Sequence, residues 1–231
     1  MNYEELQNRL SSFLSTDEEK IEKLKKYESF LLLNNKQFNL TSITDSNEML
    51  IKHFYDSLSP LAYLPLENKK VLDFGSGAGF PGLPFAIFVP SAKITLLDAT
   101  KKKCEFLRHT TELLGLKNVE VVHARGEEFK ARETFDVVSA RAVAALPILL
   151  ELIAPLLKVG GLFLAMKGAN GERELLESQK ATKILGLKLQ RKEEFELPEE
   201  MGKRVNLIFE KTEVTPKKFP RPYADILKKP L

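Results

Sequence analysis

The stretch Val71-Leu-Asp-Phe-Gly-Ser-Gly-Ala-Gly-Phe-Pro-Gly-Leu-Pro84 constrains this chain more than any other. The apolar run Val71 to Phe74 has the length and character of a buried strand. It breaks into Gly75, Gly77, Gly79 and Gly82, and the apolar segment Leu83 to Val89 continues as a helix. A strand feeding a helix through glycines lets a ligand approach the backbone, because no Cβ stands in the way. The helix start adds N–H groups that have no intrahelical partner. Such a turn belongs to an α/β sheet that binds a nucleotide-like ligand.

Two ligands compete for these residues. Gly77-Ala-Gly-Phe-Pro-Gly82 fits the dinucleotide fingerprint G-x-G-x-x-G. Asp73-Phe-Gly75-Ser-Gly77-Ala-Gly79 instead resembles the first motif of Rossmann-like methyltransferases that use S-adenosyl-L-methionine. Chemistry favours the second. A carboxylate at Asp73 would repel a pyrophosphate, whereas the sulfonium and amino group of S-adenosylmethionine are cationic. Phe80-Pro81 puts bulk and a fixed φ where a dinucleotide loop stays open. Lys93-Ile-Thr-Leu-Leu-Asp98 then reads as a second strand, and Asp98 stands where an acid accepts ribose hydroxyls. The other use of Asp98 is to cap the following helix, a job Thr100 can also do.

From Val71 onward strands and helices alternate, which predicts a mostly parallel sheet with helices on both faces. Strands are expected at Val71–Phe74, Ile94–Leu97, Val119–His123, Phe135–Ser139 and Leu162–Met166. Helices are expected at Leu83–Val89, Lys101–Leu114, Leu146–Leu157 and Glu172–Leu185. Leu187–Leu197 and Lys203–Lys211 read as a terminal antiparallel pair. Residues 1–65 read as a helical extension beside the ligand cleft, 66–213 as the catalytic domain, and 214–231 as a basic, proline-interrupted arm. In the extension, Thr16-Asp17 and Asp45-Ser46 offer helix caps, and Asn34-Asn35 offers a stop.

Several function classes drop out. The 231 residues hold one cysteine, Cys104, so no internal disulfide forms and a reducing compartment is expected. The N-terminus lacks the pattern of a secretory signal. The apolar run Ala142 to Leu157 contains Pro147, Glu151 and Pro155 and is too short to span a membrane. A cytoplasmic monomer is expected. His53, His109 and His123 have no metal-site spacing, so no metal is expected. The net charge of +3 permits an RNA partner without requiring one.

Open α/β sheets bind ligands beyond the carboxyl ends of their strands. There the third strand delivers Arg125, Gly126, Glu127 and Glu128, beside the adenine in this reading. The fourth ends in Ser139-Ala-Arg141 and the fifth in Met166-Lys167-Gly168. Arg141 and Lys167 are therefore candidate catalytic or binding cations. His53 and Asp56, three apart on one helix, are candidates to stand near the same cleft. Lys101, Lys102 and Lys103 open a helix, where cations are locally unfavourable and an incoming phosphate would relieve the conflict. With Arg125, Lys167 and the tail residues Lys217, Lys218 and Arg221, they form a candidate RNA track.

Taken in order, Asp73 to Pro84, Ser139-Ala-Arg-Ala-Val-Ala144 and Phe163-Leu-Ala-Met-Lys-Gly168 resemble the bacterial small-subunit rRNA guanine-N7 methyltransferase family, RsmG or GidB. Asn39-Leu-Thr-Ser-Ile43 and His53-Phe-Tyr-Asp-Ser-Leu58 are similar to the same family, so the resemblance covers nearly the whole chain. It implies that Gly75, Phe80, Gly126, Glu127 and Arg141 hold S-adenosylmethionine. It also implies methylation at N7 of a guanosine in 16S rRNA of the small ribosomal subunit. Three departures stand out: Asn34-Asn35 in place of a Trp-Asn pair, the tail Phe219-Pro-Arg-Pro-Tyr-Ala224, and Gly126 where Ala is usual. A backbone contact at Gly126 should tolerate that last exchange.

The local chemistry agrees with an N7 target. Guanine N7 carries a lone pair and no proton, so positioning can do most of the work. Exocyclic-amine enzymes place an Asn/Asp-Pro-Pro-aromatic element after the fourth strand, where this chain has Ser139-Ala-Arg-Ala. Pyrimidine C5 enzymes need an attacking thiolate, and Cys104 reads as a core residue. The competing readings are a nicotinamide-dinucleotide oxidoreductase, resting on Gly77 to Gly82 alone, and a non-catalytic RNA-binding module.

Overall fold

The glycine-interrupted strand lies at the centre of a seven-stranded sheet. The computed structural model describes residues 1–231. The strands are β1 (Lys70–Phe74), β2 (Lys93–Asp98), β3 (Val119–His123), β4 (Phe135–Arg141), β5 (Leu157–Lys167), β6 (Leu187–Glu196) and β7 (Lys203–Lys211). They are ordered β3-β2-β1-β4-β5-β7-β6. The first five pair in parallel, whereas β7 runs antiparallel to both β5 and β6. The expected terminal hairpin therefore forms, with its second strand inserted next to β5. That insertion brings the start of β7 to the edge where the parallel strands end: Val205 stands opposite Lys167.

The helices are α1 (Tyr3–Leu10), α2 (Glu18–Phe38), α3 (Ser46–Met49), α4 (Asp56–Leu58), α5 (Gly82–Phe88), α6 (Lys101–Leu113), α7 (Leu146–Ile153), α8 (Gly171–Glu177), α9 (Gln179–Leu185) and α10 (Tyr223–Lys228). A π-helical turn, Leu50–Tyr55, joins α3 to α4. Caps set the starts as the sequence indicates: Asp17 accepts from Lys20 N–H and Asp45 from Glu48 N–H. Asn35 does not stop α2, which runs to Phe38 and ends at Asn39 in the left-handed region. The Asn35 side chain instead accepts from Leu40 and Thr41 N–H and donates to Thr41 O, shaping the turn that follows. The segment expected as one helix from Glu172 is broken at Ser178 into α8 and α9. The helix expected to reach Leu157 ends at Ile153, because Pro155 cannot continue the ladder.

One face of the sheet shares a core with the N-terminal helices. Leu6, Leu10, Leu24, Tyr27 and Leu31 pack into the same cluster as Leu83, Phe85 and Phe106. Tyr27 is fully buried, and its hydroxyl donates to Ala78 O within the glycine loop. The opposite face is covered by α7, α9 and the C-terminus, with Leu149, Leu150, Ile153, Leu185, Phe219 and Ile226 in one cluster. No helix is long and apolar enough to cross a membrane.

The tail departs from the expectation of an extended basic arm. Phe219 and Ile226 are buried, and residues 223–228 form α10. Arg132 donates to the carbonyls of Phe219 and Thr215, which holds the segment against the domain. Apolar burial and these bonds outweigh the repulsion among its lysines, which point to solvent.

Because the helical N-terminus and the sheet share one core, urea unfolding read by circular dichroism and by tyrosine fluorescence should give one coincident transition. Tyr27→Phe should lower stability by about 1 kcal/mol, the value of one hydrogen bond. Two resolved transitions would show that residues 1–65 fold independently.

Candidate functional site

The glycine loop closes on itself. Gly75 and Ser76 N–H both donate to Leu97 O, Gly79 and Phe80 N–H to Ser76 O, Gly77 N–H to Asp98 Oδ2, and Gly82 N–H to Asp73 Oδ2. Gly75, Gly77 and Gly79 have φ of +73°, +60° and +104°, the left-handed region that glycine reaches without strain. Asp73 is wholly buried, and its other oxygen accepts from Ser139 Oγ at 3.2 Å. Burial pushes its pKa up to about 6, against the pull of the Gly82, Ser76 and Ser139 hydrogen bonds and of Arg141. Asp73 lines neither of the cavities at this edge; its carboxylate bonds the first amide of α5 and the Ser139 hydroxyl on β4. A Cβ on Gly82 would stand 2.8 Å from that carboxylate and 2.3 Å from Leu96.

Two cavities open at the carboxyl edge of the sheet. The first, about 400 Å³, is lined by Phe74, Gly75, Leu97, Asp98, Glu127 and Leu152, among others. Asp98 is mostly buried; it accepts from Gly77 and Thr100 N–H, and each oxygen keeps a second lone pair. Gly126 also lines this cavity, and a Cβ there would fall 2.1 Å from the Phe74 ring. An alanine at 126 would therefore require the Phe74 ring to shift, whereas glycine leaves the ring where it is. Lys103 and Arg125, expected on an RNA track, line this cavity instead, with Arg125 3.9 Å from Glu127.

The second cavity, about 590 Å³, is lined by Lys52, His53, Asp56, Arg141, Lys167, Glu174 and Arg204 with apolar neighbours. Ala142, Val143 and Ala144 line both cavities, so only this short segment after β4 divides them. Asp56 is buried and bridges two guanidinium groups, Arg141 Nη1 at 3.2 Å and Arg204 Nε at 3.1 Å. Arg141 also donates to Lys52 O and lies 5.1 Å above the Phe80 ring. It lines the second cavity, directly before the Ala142–Ala144 segment shared with the first. Phe80, likewise expected on the cofactor, is buried among Tyr27, Phe54 and His53, with centroid separations of 5.1, 5.8 and 4.5 Å. It supports the wall from behind.

The His53 ring lies 2.8 Å (Nε2) from Thr41 Oγ1 and 3.4 Å (Nδ1) from Arg141 Nη2. Burial, then the Arg141 charge, lowers its pKa to about 3. It is a neutral imidazole, with Nδ1 accepting from the guanidinium and Nε2–H donating to Thr41. Lys167 is buried, donating to Ala144 O at 2.7 Å and pairing with Glu174 at 2.9 Å. That geometry ties the dividing segment to α8 and leaves Lys167 no reach toward an RNA backbone. Cys104 is buried, and burial raises its thiol pKa, the reverse of an activated nucleophile.

Lys101, Lys102, Lys217 and Lys218 are exposed. Arg221 is not free: it grips Glu151 through Nε at 2.8 Å and Nη2 at 2.6 Å. Sequence reasoning overlooked Lys52, Arg204, Glu174 and Glu151. Arg204 was findable only by placing β7 beside β5. Glu151 carried a signal, a lone acid in an apolar run, which asks for a cationic partner. No group of three or more His, Cys, Asp or Glu is placed to hold a metal ion.

This fold occurs in solved structures. A SAM-dependent methyltransferase from Aquifex aeolicus aligns with a TM-score of 0.56 at 19% identity, over 72% of this chain and 94% of that one. TYW2 of M. jannaschii, solved in complex with AdoMet, aligns with a TM-score of 0.55 at 19% identity, over 64% of this chain and 72% of that one. Strand order and glycine loop define a protein of the Rossmann-like methyltransferase fold. A ribosomal RNA small subunit methyltransferase G of Brevibacillus brevis is 47% identical over 202 residues, 85% of each chain. One from Staphylococcus epidermidis is 44% identical over 214 residues, 91% of this chain and 90% of that one. The model of the rRNA small subunit methyltransferase G family matches residues 20–204, and the chain belongs to that family.

Two outcomes follow from this geometry. Gly126→Ala should lower stability by about 2 kcal/mol through overpacking, and Phe74→Val in the same chain should recover most of it, read as thermal midpoints. His53 has a folded pKa of about 3 against 6.5 unfolded, so it binds fewer protons when folded. Its contribution is complete above 6.5 and is lost as pH falls toward 3. Asp73, raised from 3.8 to about 6, acts oppositely, gaining stability as pH falls through that window. Between about pH 7.5 and about pH 5, His53→Gln should therefore lose up to about 2 kcal/mol less stability than the parent chain in urea titrations. Equal losses would show that His53 protonates freely in the folded state.

Proposed function

We propose that the protein transfers a methyl group from S-adenosyl-L-methionine to N7 of a guanosine in 16S rRNA of the small ribosomal subunit. In this reading it works as a cytoplasmic monomer. The observation that carries it is the pair of adjoining cavities divided only by Ala142–Ala144. The first suits a nucleoside: apolar walls at Phe74, Leu97 and Leu152 can flank a purine, and Asp98 can accept from ribose hydroxyls. Glu127 and the Gly126 backbone stand where an adenine edge would be read. The cofactor supplies an electrophilic methyl on a sulfonium. In the second cavity Arg141 and Arg204 share the single carboxylate of Asp56, which leaves a net positive charge that favours an anionic partner such as an RNA segment.

The residues here position and do not abstract. N7 has no proton to lose, and His53, the one imidazole in the cavity, has both nitrogens engaged. Asp56 holds Arg141 and Arg204 as a rigid pair, and Phe80 supports the Arg141 plane from below. The exposed Lys101, Lys102, Lys217 and Lys218 can extend contact along the RNA backbone. A dinucleotide is disfavoured, because the loop amides that would cradle a pyrophosphate already have partners inside the protein.

With methyl-labelled S-adenosylmethionine, label should enter 16S rRNA, offered naked and as small subunits, at a guanosine whose strand breaks after borohydride and aniline. Arg141→Ala should lower kcat/KM about 100-fold, the order of loss expected when reacting groups are misplaced by an ångström. Label at an exocyclic amine, or in no RNA, would refute the assignment.

A further inference from the structure

The C-terminal segment, outside the stretch matched by the family model, reaches the first cavity. Tyr223, the first residue of α10, lines it together with Phe74, Leu97 and Leu152. The segment is latched beside that wall. Glu151, with no exposed surface, lies in α7 one residue before Leu152 and receives Arg221 N–H at 2.9 Å as well as the guanidinium. Arg221 in turn donates to Lys229 O, so one side chain pins both ends of α10. Arg132 holds the approach to α10 through the Phe219 and Thr215 carbonyls.

We infer that residues 215–229 form a latched strap whose Tyr223 ring is a binding wall for the adenine of S-adenosylmethionine. This rests on the reading of the first cavity as the cofactor site. A nucleobase offers a π face, and a half-buried tyrosine offers another, together with a phenol that keeps a hydrogen-bonding tip. The neighbouring walls are aliphatic or belong to the sheet, so Tyr223 is the aromatic contact contributed from outside it. The Arg221–Glu151 pair acts through Tyr223: an unpaired Glu151 would be a buried charge, so the latch closes whenever the domain is folded.

Calorimetry with S-adenosylmethionine and S-adenosylhomocysteine on the full chain tests this, alongside steady-state KM for cofactor and for RNA. Tyr223→Ala should weaken both ligands roughly tenfold, as aromatic–base contacts do, while Tyr223→Phe stays within about twofold of the parent. KM for RNA should not move with KM for the cofactor. Arg221→Met, Glu151→Leu together replace the buried pair by apolar side chains; if the strap then loosens, trypsin should cut at Lys217 and Lys218 faster, and added S-adenosylhomocysteine should slow that cut. Cofactor affinity unchanged in Tyr223→Ala, with an unaltered melting curve, would overturn the inference and leave the methyltransferase reading standing. A parent chain that binds neither compound would overturn both.

Discussion

A buried carboxylate with no counter-ion in direct contact holds the active edge of this protein together. Asp73 lies at the end of the central strand, and its two oxygens reach in opposite directions, to the first amide of α5 and to the Ser139 hydroxyl on β4. Desolvation of that charge is costly, which is why its pKa rises to about 6. The cost is offset because the hydrogen bonds fix three elements at once. With Asp73 in place, Gly82 has no room for a side chain, and the loop above must turn through left-handed glycines before α5 can begin. The first cavity exists because of that turn.

A second node governs the other cavity. Asp56 draws Arg141, from the end of β4, and Arg204, from the start of β7, onto the π-helical region of the N-terminal segment. Helical irregularities of this kind recur where side chains must be aimed off the regular repeat. The Phe80 ring, carried by the glycine loop, lies between His53 and Tyr27 and beneath Arg141. The cofactor loop and the cationic wall are thus parts of one packed unit, and a neutral His53 belongs to that unit as a spacer. Proton abstraction is not asked of it.

Much of the fold was legible before any coordinates. Alternation of apolar runs with glycine and polar breaks located the five parallel strands, because a strand buried in a parallel sheet must be largely apolar and must be followed by a turn, and the break at residues 198–202 located the antiparallel pair. The cofactor loop was legible too, since four glycines and an acid within ten residues leave few other uses. Boundaries were less so: Asn35 looked like a helix stop, but its side chain found partners in Leu40 and Thr41, which lie beyond the reach of a local rule. The consequence of Gly126 was hidden for a similar reason, because its neighbour Phe74 is remote in sequence.

What the sequence by itself determined was the class of sheet, the place of the glycine turn, and which strand ends carry Asp98, Glu127, Arg141 and Lys167. Those depend on local pattern and on the rule that ligands gather at carboxyl ends. Only the tertiary structure decided which charges are free to meet a ligand. In the sequence Asp73, Lys167 and Arg221 look as available as the exposed Lys101, yet each is held by a partner 7 to 70 positions away or by a distant backbone group. Burial and pairing are properties of neighbours in space, and the insertion of β7 between β5 and β6, with the folding back of the tail, chose those neighbours.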